Sequence, residues 1–275
     1  MIPATFEYRR AASIDEALSL LAADPDTTKL LAGGHSLLPL MKLRLATPAV
    51  LVDVGRLADL DYVREDGDHI AVGALTRHRD LEVSEVARAY APLLAHVAGQ
   101  VGDPQVRHRG TIGGSVAHGD PASDLPAAVL ALGGALVVRG RDGTREVPAD
   151  RFFRGFLETD LGPGEMLTEI RVPKGDAGWS FHKFNRRAQD WAIVGVAAVV
   201  GDDSRVALVN MGPTPLRAPG VEEALAAGAS PADAAARAAE GLDPPSDLHA
   251  STEYRNHLAT VLVRRAIEDA AAARG

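Results

Sequence analysis

The segment Leu31-Ala32-Gly33-Gly34-His35-Ser36 decides the fold prediction, and Thr111-Ile112-Gly113-Gly114-Ser115 repeats its pattern. In each, we predict that a short apolar strand leads into the glycine pair, with a serine directly or one residue after it. Consecutive glycines let a ligand approach the backbone because they lack Cβ and tolerate positive φ. Backbone N–H groups and a hydroxyl can then face one anion. Two such segments predict a site for a ligand with two phosphates.

Each glycine pair also has a simpler interpretation, as a tight turn packed against a neighbouring strand. For one pair alone this interpretation is the stronger, whereas two pairs with the same pattern favour a shared ligand. The sequence contains no G-x-G-x-x-G and no G-x-x-x-x-G-K followed by Ser or Thr, so Rossmann and P-loop sites are not expected. Neither Ser36 nor Ser115 lies in the G-x-S-x-G pattern of a hydrolase nucleophile.

Composition and charge are those of an ordinary globular protein and remove several classes of function. Hydrophobic residues make up 46% of the 275 positions and charged residues 24%, close to the average for folded domains. The net charge of −8 argues against broad binding to nucleic acid or an anionic membrane. The sequence contains no cysteine, so this chain cannot hold a disulfide or a cysteine-ligated iron–sulfur cluster. Any such cluster must belong to another chain.

The pattern along the chain predicts helices and strands without a membrane span. No apolar run is long enough to cross a bilayer, and residues 1–10 lack the apolar core of a signal peptide, so we expect a cytoplasmic protein. The turn residues over Pro173–Gly178 are the best candidate for a linker between two domains. Beyond the linker, apolar runs predict three consecutive strands, followed by helices. These runs are Trp179–Phe184, Ile193–Val200 and Arg205–Met211.

Three further blocks extend the glycine pattern into a resemblance to one family. They are DPQVRHR at 103–109, AHGDPASD at 117–124 and FNRRAQDWAIVGV at 184–196. Together with the two glycine segments, they resemble the signatures of the FAD-binding medium subunit of the carbon monoxide dehydrogenase and xanthine dehydrogenase family. The match extends over essentially the whole chain. It implies an α+β fold with a PCMH-type FAD-binding domain of two subdomains, followed by a smaller α+β C-terminal domain.

The resemblance also implies where these domains lie. The FAD-binding domain covers residues 1–174, with subdomains at about 1–56 and 57–174. The C-terminal domain, of the carbon monoxide dehydrogenase flavoprotein type, covers residues 178–275 and places the three predicted strands in one sheet beside helices.

By the resemblance, the two glycine segments hold the pyrophosphate of a non-covalently bound FAD. Asp124 hydrogen-bonds polar atoms of the cofactor, Leu167 packs on the isoalloxazine ring, and Lys183 lies near the ring. Trp191 covers its other side. The family often has Tyr there, and because Trp has no phenolic hydroxyl, the contact of Trp191 is left open. The other tryptophan, Trp179, is expected in the core. The expected cofactor-binding residues are therefore Leu31, Ala32, Gly33, Gly34, His35, Ser36, Thr111, Ile112, Gly113, Gly114, Ser115, Asp124, Leu167, Lys183 and Trp191.

Nine histidines invite a metal interpretation that their spacing does not support. None forms H-E-x-x-H, and His108 and His118 flank the second glycine pair at no established ligand spacing. We expect no metal on this chain. His35 lies inside the first segment, where its ring can donate to a phosphate or complete a turn, and we favour the phosphate.

The resemblance implies a flavoprotein oxidoreductase subunit that performs no substrate chemistry itself, so no catalytic residue is assigned. A large molybdopterin-binding subunit oxidises the substrate, and a small subunit with two [2Fe–2S] clusters relays electrons. FAD on this chain passes them to an external acceptor. The expected assembly is a dimer of heterotrimers. Two alternatives stay open from the sequence: a stand-alone FAD-dependent oxidoreductase, and a non-catalytic interaction module in which both glycine pairs are structural turns.

Overall fold

The structure is a computed structural model that describes residues 2–273. The outermost ends of the predicted domains, at residue 1 and residues 274–275, lie outside the described residues.

The N-terminal part forms a three-stranded parallel sheet that carries the first glycine segment. Its strands are β1 (Glu7–Arg10), β2 (Thr28–Leu31) and β3 (Val50–Asp53), in the order β1-β3-β2. Helix α1 (Ile14–Ala23) begins after Ser13, whose hydroxyl accepts a hydrogen bond from the Glu16 N–H. Helix α2 (Leu37–Lys42) follows the glycine pair. The turn over residues 32–36 therefore lies at the carboxyl end of β2.

The second sheet is larger, antiparallel and covered by helices. After a 3₁₀ helix (Ala58–Leu60), its region contains β4 (Val63–Asp66), β5 (His69–Gly73), β6 (Ala135–Gly140), β7 (Gly143–Pro148), β8 (Phe153–Gly155), β9 (Glu158–Thr159) and β10 (Met166–Pro173). Five of these strands take the order β4-β5-β10-β6-β7, and β8 pairs with β9 separately. The helices are α3 (His78–Val83), α4 (Glu85–Tyr90), α5 (Pro92–Gln100), α6 (Pro104–Arg107), α7 (Ile112–His118), α8 (Asp124–Ala131) and α9 (Ala149–Phe152). The main hydrophobic core lies between this sheet and helices that include α5 and α8.

The prediction that an apolar strand leads into the second glycine pair is wrong. The residues before it form the single-turn helix α6, and Thr111 makes only an isolated bridge with Arg77. Gly113 and Gly114 lie in the first turn of α7, where the Thr111 hydroxyl caps the helix by accepting from the Gly114 N–H at 3.1 Å. The second glycine pair therefore begins a helix, whereas the first follows a strand.

The C-terminal part forms an antiparallel sheet with helices on one face. Its strands, in sheet order, are β11 (Gly178–Phe184), β12 (Val194–Val200), β13 (Arg205–Val209) and β14 (Leu216–Arg217). The sequence predicted three strands, and the two-residue β14 is too short to show an apolar pattern. The helices are α10 (Pro219–Ala226), α11 (Pro231–Ala235) and α12 (Thr252–Ala273).

Residues along β12 alternate between two cores, as a strand requires. Val196 and Ala198 pack in the core formed with α10–α12, whereas Ala197 belongs to the main core beneath α8. Helix α8 contacts β12, β13 and β14. The C-terminal sheet is thus packed directly against the part of the chain that carries the second glycine segment.

Candidate functional site

A cavity of about 910 Å³ is lined by residues from all three sheet regions. Among the predicted cofactor residues, all of which the structure describes, Ile112 alone does not line it, because its side chain is fully buried in the main core. The fold brings the others together around one space. They are Leu31, Ala32, Gly33, Gly34, His35, Ser36, Thr111, Gly113, Gly114, Ser115, Asp124, Leu167, Lys183 and Trp191.

The first glycine segment offers a row of unused backbone donors. Within residues 2–273, the N–H groups of residues 33–37 have no hydrogen-bond acceptor. Gly34 has a φ of +79°, in the left-handed region that glycine adopts without strain. Successive N–H groups in such a turn form a concave donor set that binds phosphate oxygens. Ser36 belongs to the same turn, and within residues 2–273 its hydroxyl makes no capping hydrogen bond to α2.

The N–H groups of the second segment are already used inside the protein. Those of residues 112–115 donate, at 2.9–3.1 Å, to the carbonyl oxygens of Thr76, Ala74 and Thr111 and to the Thr111 hydroxyl. The expectation that both segments present free N–H groups to one anion is therefore wrong for this segment. A Cβ on Gly113 would lie only 2.7 Å from the Ala74 Cα, so this glycine permits close packing of α7 on the chain after β5. What remains for a ligand here is the Ser115 hydroxyl and the O–H of Thr111, whose oxygen accepts from the Gly114 N–H.

A close backbone contact holds the two segments together. A Cβ on Gly33 would collide with the Arg109 carbonyl oxygen and lie 2.8 Å from the Gly110 Cα. Arg77 donates from Nη1 to the same carbonyl oxygen at 2.5 Å and from Nη2 to the Gly55 carbonyl oxygen at 3.3 Å. Gly33 is therefore required for the contact between the segments, and Arg77 joins both to the end of β3.

A buried ion pair lies on the cavity wall. Lys183 Nζ donates to Asp124 Oδ2 at 2.7 Å, with the two side chains only 7% and 6% exposed, and also to the Gln100 carbonyl oxygen at 3.2 Å. Burial raises the pKa of Asp124 to about 6, against the opposing effect of Lys183, so the carboxylate is ionised at neutral pH. Its Oδ1 is buried without a hydrogen-bond partner among residues 2–273. A ligand hydroxyl or N–H facing this oxygen would remove the cost of leaving it unpaired.

His78, at the start of α3, is a cavity residue that sequence reasoning missed. Its ring lies against Gly110, where an added Cβ would come within 2.6 Å of it. The side chain is buried, and Nδ1 has no partner in the described part of the chain. Burial, followed by His35 and the cations Arg77 and Arg107, lowers the pKa of His78 to about 4. The imidazole is therefore neutral at pH 7.

Other missed lining residues differ in the signal that could have revealed them. His118 and Ser123 belong to the AHGDPASD block, from which only Asp124 was assigned. Burial lowers the pKa of His118, so its ring favours the neutral form. Residues 161–165, before β10, and Met166, its first residue, also line the cavity and carry no motif.

The apolar candidates occupy opposite surroundings. Leu167 is almost fully buried in β10, beside a register shift of the β10–β6 ladder that redirects side chains near it. Trp191 is 57% exposed, in the loop between β11 and β12 at the cavity edge. Trp179, predicted in the core, packs against the main core but stays half-buried, with its ring 5.4 Å from that of His96.

Among residues 2–273, no group of three or more metal-ligating side chains could hold a metal ion. Within the same range, no helix combines the length and apolar character that crossing a membrane needs.

The cavity fits a dinucleotide with an attached ring system. The donor row at residues 33–37 suits phosphate oxygens, and the unpaired Asp124 Oδ1 needs a donor such as a ribityl hydroxyl. Leu167 supplies an apolar wall on which a flat ring can pack. These residues therefore fit FAD.

Comparison with known proteins decides the family. The model for the FAD binding domain in molybdopterin dehydrogenase matches residues 4–175, and the model for the CO dehydrogenase flavoprotein C-terminal domain matches residues 179–270. The chain belongs to this flavoprotein family.

Similar family members include two curated medium chains and a solved structure. The carbon monoxide dehydrogenase medium chain of Hydrogenophaga pseudoflava is 42% identical over 282 residues, covering 98% of each chain. That of Afipia carboxidovorans is 39% identical over 284 residues, covering 99% of each. The structure of the Hydrogenophaga enzyme that lacks the Mo-pyranopterin moiety matches with a TM-score of 0.96 and 43% identity, covering 99% of each chain. Resemblance and α+β fold are thereby confirmed: this member of the molybdopterin dehydrogenase flavoproteins is an oxidoreductase subunit with an FAD-binding domain.

Proposed function

We propose that the chain is the FAD-binding electron-transfer subunit of a molybdenum hydroxylase complex, which takes electrons from a partner chain and passes them to an external acceptor. The observation that carries the proposal is the cavity, where unused N–H groups, a buried unpaired carboxylate oxygen and an apolar wall face one space. Family membership supports the flavin, and the similarity to chains named as medium chains supports a subunit role.

Each part of the cavity receives one role in this proposal. The N–H groups of residues 33–37, with Ser36 and the nearby His35, hold the pyrophosphate, and Ser115 adds a hydroxyl from the second segment. Asp124 accepts from polar atoms of the cofactor, while Lys183 keeps that carboxylate charged and close to the ring. Leu167 packs on one side of the isoalloxazine, and Trp191 covers the edge open to solvent. Ile112 acts only through packing.

Bound FAD supplies a ring that stores two electrons and releases them to the acceptor. The chain's own residues set the position of that ring. Leu167 excludes water from the inner wall, and the Asp124–Lys183 pair places a fixed dipole beside the site. No side chain of this chain is required as a general acid or base for such a relay.

The proposed partners supply the redox centres that this chain does not hold. Because the chain has no cysteine, the electron-delivering clusters belong to an iron–sulfur subunit, and the molybdenum cofactor belongs to a large molybdopterin-binding subunit. We place the complex, a dimer of heterotrimers, in the cytoplasm.

A visible spectrum of the purified protein tests the proposal. Flavin bands in the preparation, or their appearance after incubation with FAD at a 1:1 ratio, are expected. A colourless protein that binds no FAD would contradict it and favour an interaction module. Turnover of a substrate by the purified chain alone would favour a stand-alone oxidoreductase, whereas copurification with molybdenum-containing and cysteine-rich chains supports the subunit role.

A further inference from the structure

Two cavity segments from different sheet regions are joined through one residue, Asn210, which follows β13. Its Nδ2 donates to the Ala192 carbonyl oxygen at 2.8 Å, directly after Trp191. Its backbone N–H donates to the Pro121 carbonyl oxygen, also at 2.8 Å, three residues before Asp124. One residue thus bonds both the loop that carries Trp191 and the turn that leads into the buried ion pair.

The conformation of Asn210 makes this double contact possible. Its φ of +61° lies in the left-handed region, which few residues other than glycine adopt and in which Asn is enriched. The asparagine side chain adds an N–H donor and tolerates this backbone. Glycine would keep the backbone and lose the donor, and aspartate would keep the shape and replace the donor with an acceptor.

Each of the two bonded segments also has local hydrogen bonds of its own. The Pro121 turn is fixed by hydrogen bonds from the Ala122 and Ser123 N–H groups to Asp120. In the loop over residues 185–191, the Asn185 side chain donates to the Ala188 and Asp190 carbonyl oxygens, and the Asp190 N–H donates to the Arg187 carbonyl oxygen. Trp191 reaches the cavity edge from this loop while remaining 57% exposed. The two hydrogen bonds of Asn210 therefore join two cavity segments whose other hydrogen bonds named here are local to each.

We propose that Asn210 is a positioning residue that fixes Trp191 relative to the Asp124 turn, and thereby sets how tightly the cavity retains FAD. Asn210 is not among the residues that line the cavity. The part that concerns FAD rests on the proposed function. Arg255 supports the same strand start, since its buried guanidinium donates to the Ile193 carbonyl oxygen and to Asp247 at 2.8 Å. Because Arg255 is fully buried, its removal would disturb the fold, and Asn210 is the better probe.

The test uses Asn210→Asp and Asn210→Gly in the full chain, each also combined with Trp179→Phe so that Trp191 is the only tryptophan. Without FAD, Trp191 anisotropy should fall and its quenching by acrylamide should rise in both variants. With FAD, the Kd should rise about tenfold, since one hydrogen bond is lost. Gln105→Glu, the same amide-to-carboxylate change at an exposed position outside the cavity lining, is the matched control and should alter neither readout.

Unchanged Trp191 anisotropy and unchanged FAD affinity in both variants would overturn the proposal. So would a loss of thermal stability without a change in either readout, because Asn210 would then be structural only. If Asn210→Asp fails to fold, Asn210→Gly decides, since it keeps the backbone conformation. If wild-type protein binds no FAD, the proposed function fails, while the Trp191 measurements without FAD still test the link.

Discussion

The two glycine segments share a sequence pattern and differ in what their backbones do. Residues 33–37 follow a strand, and their N–H groups have no acceptor among residues 2–273, whereas residues 112–115 begin a helix and donate theirs to acceptors inside the protein. We propose the first segment as a cradle for an anion. The second packs α7 closely against the chain after β5, and we propose that it offers the Ser115 hydroxyl to the ligand. Along the chain, α7 is followed by α8, which begins at Asp124 of the buried ion pair. A glycine pair therefore indicates that another group comes close to the backbone there. Whether that group belongs to a ligand or to the protein itself is shown by the hydrogen-bond partners of the N–H groups.

The largest expected loss of stability comes from breaking the buried Asp124–Lys183 ion pair, which lies beyond the second segment along the chain. Lys183→Met leaves the Asp124 carboxylate buried and unpaired, so we expect a loss of about 3–5 kcal/mol in the free energy of unfolding at pH 7. Urea denaturation without FAD measures it. Lys174→Met, which breaks the more exposed pair with Glu65, is the control and should cost about 1 kcal/mol or less. Equal losses in the two variants would contradict the buried pair.

A pH dependence is expected from His78, which lies where the segments meet. Its folded pKa of about 4 is below the unfolded value of 6.5, so its stabilisation is complete above pH 6.5 and is lost as pH falls towards 4, by about 3 kcal/mol. The raised pKa of Asp124 acts in the opposite direction between about pH 6 and 3.8. Comparing unfolding of wild type and His78→Gln cancels that contribution.

Between pH 6.5 and 4, the free energy of unfolding of His78→Gln should fall by about 3 kcal/mol less than that of wild type. His249→Gln, at an exposed position, is the control and should follow wild type. Parallel wild-type and His78→Gln curves between pH 6.5 and 4 would show that His78 is not held neutral.

Alanine at one glycine of each segment distinguishes a ligand-binding role, expected for the first segment, from a packing role, expected for the second. Gly113→Ala drives a methyl into the Ala74 backbone, and we expect about 2–3 kcal/mol lower stability without FAD. In Gly34→Ala the added methyl meets only side chains, those of Leu38 and Leu31, but it strains a positive φ, at about 1 kcal/mol, and distorts the donor row. Its FAD affinity should fall at least tenfold. The comparison breaks if Gly34→Ala is the less stable variant and binds FAD normally.

The smallest effect concerns the two hydroxyls. Ser115 supplies a hydroxyl donor from a segment whose N–H groups are all used, so Ser115→Ala should weaken FAD binding by about 1 kcal/mol, roughly fivefold. Ser36 lies beside five free N–H groups, so Ser36→Ala should change the Kd no more than about twofold. Isothermal titration with FAD measures both, and a larger effect at Ser36 would reverse the assignment.

Local patterns in the sequence predicted elements that local chemistry determines. A short strand, β2, leads into the first glycine pair, and the three apolar runs beyond the predicted linker correspond to β11, β12 and β13. That the candidate residues share one site was predicted from the family resemblance and not from local patterns, because residues 31–36, 111–115 and 167–191 are far apart in the sequence and meet only in the folded chain.

The rest depended on distant partners. The acceptors for the second segment are Ala74 and Thr76, far earlier in the sequence, so no local pattern could show that its N–H groups are used. His78 has no motif, and its burial comes from packing against Gly110. The role of Asn210 depends on carbonyl groups of Ala192 and Pro121, which any residue type could supply.

The assignment of the first segment as the pyrophosphate cradle is tested most directly by titrating the protein with FAD and with ADP, which carries a pyrophosphate but no flavin ring. Gly34→Ala should weaken FAD and ADP by the same factor, because both use the donor row, whereas Lys183→Met should weaken FAD alone. Equal ADP affinity in wild type and Gly34→Ala, together with full FAD retention by Gly34→Ala, would contradict the assignment.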